Sequence, residues 1–166
     1  FRDFLFYRLN RSLIKFRKFL FRGNEVENNK QQEHVTKQII CNALLVEDDE
    51  ICRKLLENQL IQLGYQVEIA KNARTAIQFL NSTFYNLVLT DLGLPDQPGE
   101  AVIQAARKCE FNQSTPLIVC TAHADGKVEQ ECLVLGADQV LIKPILAKNL
   151  QQAIDECLLM QGYRRK

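Results

Sequence analysis

Nowhere in its 166 residues does the chain hold a run of about eighteen apolar residues, so no segment qualifies as a bilayer-spanning helix. None of the six cysteines (Cys41, Cys52, Cys109, Cys120, Cys132 and Cys157) stands in a C-x-x-C pair, and the two histidines, His34 and His123, lack ligand spacing. Those absences argue against a zinc site or a disulfide framework. The cysteines fall mostly in apolar periodic segments and read as small buried hydrophobes of a reducing cytosol. No G-x-G-x-x-G or P-loop follows the first apolar run, which argues against a nucleotide-binding module. There is no internal repeat, no low-complexity tract and no kinase motif. Residue 1 is Phe rather than Met, which reads as a fragment with room for domains upstream.

What is present is the composition of a globular domain: 46% hydrophobic and 25% charged residues. The net charge of +1 conceals two regions of opposite sign. Residues 1–22 carry seven Lys or Arg against one Asp and hold six of the nine Phe, whereas residues 23–166 carry fourteen basic and nineteen acidic residues. An acidic body lacks the basic footprint of a sequence-specific nucleic-acid reader. The basic segment places Phe6, Leu9, Leu13, Phe16 and Leu20 at three- or four-residue steps. That spacing suits an amphipathic helix at an anionic membrane surface, or a helix between domains, with a disordered segment as the third reading. Residues 23–38 are polar and read as a linker.

From Ile39 the pattern becomes regular. Strands are expected at Ile39–Val46, Tyr65–Ala70, Asn86–Thr90, Pro116–Cys120 and Gln139–Ile142. Helices are expected at Ile51–Leu63, Ala73–Leu80, Glu100–Lys108, Lys127–Leu135 and Ala147–Met160, with Gly64 and Gly136 as stops. Short apolar strands alternating with amphipathic helices predict an α/β fold, a parallel sheet covered on both faces. The domain is expected to occupy residues 39–162.

In such a sheet reactive groups gather at the carboxyl ends of the strands. Reading the residues there gives Glu47, Asp48, Asp49 and Glu50 after the first strand, Asp91 after the third, Thr121 after the fourth, and Lys143 followed by Pro144 after the fifth. Clustered carboxylates need a counter-ion, and an all-oxygen set suits Mg²⁺. A lysine and a hydroxyl at the same edge suit an incoming phosphoryl group, with the Asp91 carboxylate as nucleophile forming an acyl phosphate. Each residue alone has a plainer reading: Asp49 as a helix N-cap, Asp91 as a turn residue, Thr121 as a strand end, Lys143 as a surface lysine. The combination, in this strand order, favours phosphoryl chemistry.

The blocks LLVEDDE at 44–50, LVLTDLGLP at 87–95, IVCTAHA at 118–124 and GADQVLIKPI at 136–145 resemble the response-regulator receiver family, in family order and over about 120 residues. The resemblance implies a doubly wound, flavodoxin-like five-stranded parallel sheet of order 2-1-3-4-5 with five helices. It implies Asp91 as phosphoacceptor, Asp48 as direct Mg²⁺ ligand, Glu47 held to the metal through water, and the Gly93 carbonyl as a further ligand. It implies Thr121 as the switch hydroxyl, Lys143 as the phosphate-binding lysine, and a cis Lys143–Pro144 bond. Family members often carry an aromatic switch residue where this chain has Val140, so the usual ring movement is absent. An aspartate-nucleophile phosphohydrolase would need a second Asp where Gly93 stands.

A receiver that follows a linker, with no output domain after it, resembles the C-terminal receiver of a hybrid sensor histidine kinase. The expected partners are then a histidine kinase and a histidine phosphotransfer domain of a cytoplasmic phosphorelay. A free-standing single-domain response regulator is the alternative.

Overall fold

The computed structural model describes residues 41–122 and 125–164, with side chains described to Met160. The basic segment 1–22, the linker 23–38 and the first two residues expected in the opening strand lie outside the described residues. Five strands alternate with five helices: β1 (Cys41–Val46), α1 (Glu50–Gln62), β2 (Tyr65–Ala70), α2 (Ala73–Ser82), β3 (Leu87–Thr90), α3 (Glu100–Lys108), β4 (Leu117–Thr121), α4 (Gly126–Leu135), β5 (Gln139–Ile142) and α5 (Ala147–Arg164). All strand pairs are parallel, and the order across the sheet is β2-β1-β3-β4-β5. The parallel sheet is the one the sequence pattern predicts, and its doubly wound order is the one the resemblance implies.

The strands alternate between two cores because successive side chains point to opposite faces. Leu44, Val46, Val88, Leu117 and Val119 pack with Ala73, Ala76 and Leu80 of α2, Val102 and Ile103 of α3 and Cys132 of α4. Ala43, Leu45, Leu87, Leu89, Ile118 and Cys120 pack with Leu56 and Leu60 of α1 and with Leu150, Ile154 and Cys157 of α5. With both faces covered, the central strands β3 and β4 are buried at every position. Each buried Leu, Ile or Val contributes about 2 kcal/mol on burial. Cys109, Cys120, Cys132 and Cys157 are buried, as their apolar settings suggest.

Boundaries differ from the sequence expectation in instructive places. β4 begins at Leu117, one residue after Pro116, and runs through Thr121, so Thr121 is the last residue of the strand rather than the first after it. β3 begins at Leu87; just before it the Asn86 N–H donates to the Asn42 carbonyl while the Asn86 side chain accepts from the Asn42 N–H, both at 2.8 Å. α5 runs past Met160 to Arg164. Gly64 and Gly136 follow α1 and α4 at φ 84° and 112°, the left-handed conformation that ends helices.

The sheet edge away from the acidic residues is knotted by one arginine. Arg107, at the end of α3, donates from Nε to the Gly136 carbonyl (2.8 Å), from Nη1 to the Thr115 carbonyl (2.8 Å) and from Nη2 to Asp138 Oδ2 (2.9 Å). The same Asp138 oxygen accepts from the Leu117 N–H at 2.9 Å. One ion pair thereby fixes the start of β4 to α3 and to the α4–β5 turn.

Candidate functional site

Backbone ladders carry the reactive residues to the carboxyl edge. The Glu47 N–H donates to the Ala70 carbonyl (3.0 Å), and the Asp91 N–H to the Val46 carbonyl (2.9 Å). Each strand's hydrogen bonding therefore extends one residue past its last paired position and fixes the Cα of an acidic residue. One carboxylate oxygen from each of Glu47, Asp48 and Asp91 lies within 4.8 Å of the others. Glu47 is 1% exposed and Asp91 9%, whereas Asp48 is exposed.

Lys143 closes this group. Its Nζ lies 2.6 Å from Glu47 Oε2 and 2.7 Å from Asp91 Oδ2. The Lys143 N–H donates to the Thr121 carbonyl at 2.8 Å, so the lysine backbone is registered against the end of β4. Thr121 is buried there. The Lys143–Pro144 bond is cis. The Gly93 N–H donates to Asp91 Oδ1 at 3.1 Å, which orients the carboxylate from its own loop.

Of the four acidic residues after β1, two are engaged elsewhere. Asp49 caps α1, accepting from the Cys52 N–H at 2.8 Å. Those backbone donors hold its carboxyl below the usual range. Glu50 pairs with Lys54 on the helix surface at 2.6 Å. The sequence grouped Glu50 with the cluster, and the structure separates it: a first-turn carboxylate four residues before a lysine finds a partner on its own helix.

The electrostatics follow from burial. Burial pushes the Glu47 carboxyl upward, and the hydrogen bond and charge of Lys143 only partly offset that. For Lys143, burial disfavours the ammonium, but the hydrogen bonds and charges of Asp91 and Glu47 outweigh it and hold the proton more tightly than in water. Beneath the site, burial pushes the Cys120 thiol up, so it stays protonated.

Three supporting residues escaped the sequence reading. Arg53 donates from Nη1 to the carbonyls of Asp48 (2.8 Å) and Glu47 (3.3 Å), gripping the loop that carries both carboxylates. Asp96 accepts from the Ala73 and Arg74 N–H groups, each at 2.9 Å, and so pins the loop after Asp91 to the start of α2. Gly99 lies against the Asp91 backbone, and a Cβ there would stand 2.0 Å from the Asp91 carbonyl oxygen. Only the spacing of Gly99 from Asp91, in a loop already rich in Gly and Pro, could have signalled any of these.

Chemically, the set combines clustered hard oxygen donors, a carboxylate oriented by backbone and ammonium, and a cation in contact with two of the three acids. Comparison with known proteins places the fold and the domain. The family model described as response regulator receiver domain matches residues 43–155. The chain is 32% identical over 134 residues to the probable transcriptional regulator ycf27 of Cyanidium caldarium, covering 81% of this chain and 49% of that protein. It is 33% identical over 111 residues to the sensor histidine kinase RcsC of Escherichia coli, covering 67% of this chain and 12% of that protein. The chain thus spans half or less of the length of these relatives. The receiver domain of sensor histidine kinase PA1611 from Pseudomonas aeruginosa, solved with magnesium in its active-site cleft, is similar at a TM-score of 0.66 and 28% identity, over 72% of this chain and 98% of that one.

Proposed function

Because the chain belongs to the response regulator receiver domain family of two-component systems, we propose that it takes a phosphoryl group from a histidine kinase onto Asp91 and passes it to a histidine phosphotransfer domain. The observation that carries the reading is the contact of Lys143 with both Asp91 and Glu47 beside Asp48. A nucleophilic carboxylate, a phosphate-binding cation and a hard-cation cluster then occupy one sheet edge.

The acidic group fits a divalent ion: three carboxylates offer hard oxygen atoms close together, and an ammonium already lies against two of them. Asp48 and Asp91 would ligate Mg²⁺ directly, with the Gly93 carbonyl, and Glu47 would hold a metal-bound water. When bound, Mg²⁺ neutralises charge on the phosphoryl oxygens. A carboxylate oxygen of Asp91 attacks phosphorus in line as the bond to the donor's nitrogen or oxygen breaks, giving an acyl phosphate. No proton leaves Asp91. Lys143, protonated throughout the neutral range, follows the negative charge from carboxylate to phosphoryl oxygen. The Thr121 hydroxyl donates to another phosphoryl oxygen.

Likeness to part of a sensor histidine kinase supports a place within a hybrid kinase, in a cytoplasmic relay. Among the described residues no helix is long and apolar enough to cross a membrane. The basic segment 1–22, with seven Lys or Arg against one Asp, carries charge that would favour contact with an anionic membrane surface. We place the receiver within residues 39–162.

The test is to incubate the chain with acetyl phosphate and Mg²⁺ and to follow its mass. One phosphoryl group should be added, released by hydroxylamine, and lost in Asp91→Asn. Labelling that persists in that variant, or survives chelation of the metal, would overturn the assignment.

A further inference from the structure

α1 reaches the site from two positions. Near its start Arg53 grips the carbonyls of Glu47 and Asp48. Further along, Gln59 reaches the connection between β5 and α5. Gln59 is 8% exposed, and its Nε2 donates to the carbonyl of Ile145 at 3.1 Å, across 86 residues of sequence. Among the described residues nothing donates to its Oε1, although that atom is buried. Such an amide is a poor core residue. A leucine would fill similar space beside Leu56, Leu60 and Ile145 without stranding a polar atom. What the amide supplies is position.

The segment it holds is the one that carries the lysine. The Lys143 N–H is bound to Thr121 of β4, and the Leu146 carbonyl accepts from the first turn of α5. Pro144 has no N–H to contribute. Between these points the Ile145 carbonyl is held from α1 by Gln59. Displacing the segment relative to α1 changes the distances from the ammonium to Glu47 and Asp91, which stand at 2.6 and 2.7 Å. We propose that Gln59 is a positioning residue for Lys143: by holding the Ile145 carbonyl, it sets where the ammonium stands above Asp91. The proposal rests on the reading of Lys143 as the phosphate-binding cation.

The experiment uses the full chain carrying Gln59→Leu, read in two ways. The first is the nitrogen shift and hydrogen exchange of the Lys143 ammonium by NMR. The substitution should move that signal and speed its exchange, and an unmoved signal overturns the proposal. The second is the rate of phosphorylation by acetyl phosphate at saturating Mg²⁺. It should fall about tenfold, as small displacements at a reacting centre do, with an unchanged Mg²⁺ midpoint. In a Lys143→Met background the same substitution should cause no further loss. Equal slowing in both backgrounds would mark Gln59 as merely structural and defeat the proposal. If the unaltered chain accepts no phosphoryl group, the phosphoacceptor reading fails, and the ammonium signal still decides the role of Gln59. Should the leucine variant not fold, Gln59→Met, an unbranched chain without a donor, gives the same two readings.

Discussion

Lys143 and Asp91, 52 residues apart in sequence, meet at 2.7 Å between Nζ and Oδ2, with the same ammonium 2.6 Å from Glu47. The lysine is the counter-ion of a nearly buried acidic pair, and this makes the first prediction one of stability. Lys143→Met should cost about 3 kcal/mol in urea unfolding at neutral pH without Mg²⁺, because it leaves buried carboxylates uncompensated. Added Mg²⁺ should restore part of the loss.

The pH dependence of that deficit has a definite sign. The raised pKa of Lys143 means that its contribution is complete below the ordinary lysine range and is lost only as pH rises through the higher folded value. It is therefore flat across the neutral range. Glu47 is raised by burial, so folding favours its protonated form, an advantage present at acid pH and lost as pH rises through the raised value. Without Lys143 that shift grows. The deficit of Lys143→Met against the unaltered chain should shrink as pH falls into the carboxyl range. A deficit that widens on acidification would contradict the balance described for the pair.

A third prediction ranks the metal ligands. Asp48 is exposed beside the cluster, whereas Glu47 is buried and already bound to Lys143. Glu47→Gln should weaken Mg²⁺ binding about tenfold, as loss of an outer partner does. Asp48→Asn should weaken it further, read by NMR titration of the amides around Asp91. The reverse order would mean that the acidic run is registered one residue away from its proposed roles.

Gly99 supplies the fourth. A Cβ at that position would lie 2.0 Å from the Asp91 carbonyl oxygen and 2.6 Å from the Leu92 Cα, both backbone atoms. Gly99→Ala should therefore destabilise by about 3 kcal/mol, the upper range for overpacking, and slow phosphorylation as well. Denaturant unfolding near that of the unaltered chain would show that the loop moves aside cheaply.

The fifth concerns Asp96, whose carboxyl is held low chiefly by the Arg74 N–H and further by those of Ala73 and Gln97. Its stabilisation of the start of α2 should be present above the ordinary carboxyl range and be lost as pH falls through the lowered value. Hydrogen-exchange protection of the Ala73 and Arg74 amides should fall in Asp96→Ala at neutral pH, and in the unaltered chain on acidification. Protection indifferent to both would remove Asp96 from the support of the loop.

How far the sequence revealed this molecule depends on range. Strand and helix identities were legible because apolar spacing records which side of an element is buried, and the strand-end residues Glu47, Asp48, Asp91, Thr121 and Lys143 could be read off in order. Thr121 was misplaced by one position because a hydroxyl at a strand end looks the same inside or outside the ladder. Glu50 could not be set apart from Glu47 without knowing where α1 begins. Gln59, Arg53 and Asp96 were illegible for a different reason. Each acts on a backbone carbonyl or N–H group, and any residue type supplies those, so no motif marks the partner.

The Arg107–Asp138 knot has a consequence for how the domain could move. It clamps β4 at Leu117, while the other end of the same five-residue strand carries Thr121 beside the acidic cluster. A rod fixed at one end and pushed at the other cannot slide; it can only swing. On one side β3 backs it from Leu117 to Val119; on the other β5 pairs with it from Ile118 through Thr121, with Val140 opposite Val119 and Ile142 opposite Thr121. Any displacement of the Thr121 end would therefore fall on β5, which forms the sheet edge, and not on the clamped start of β4.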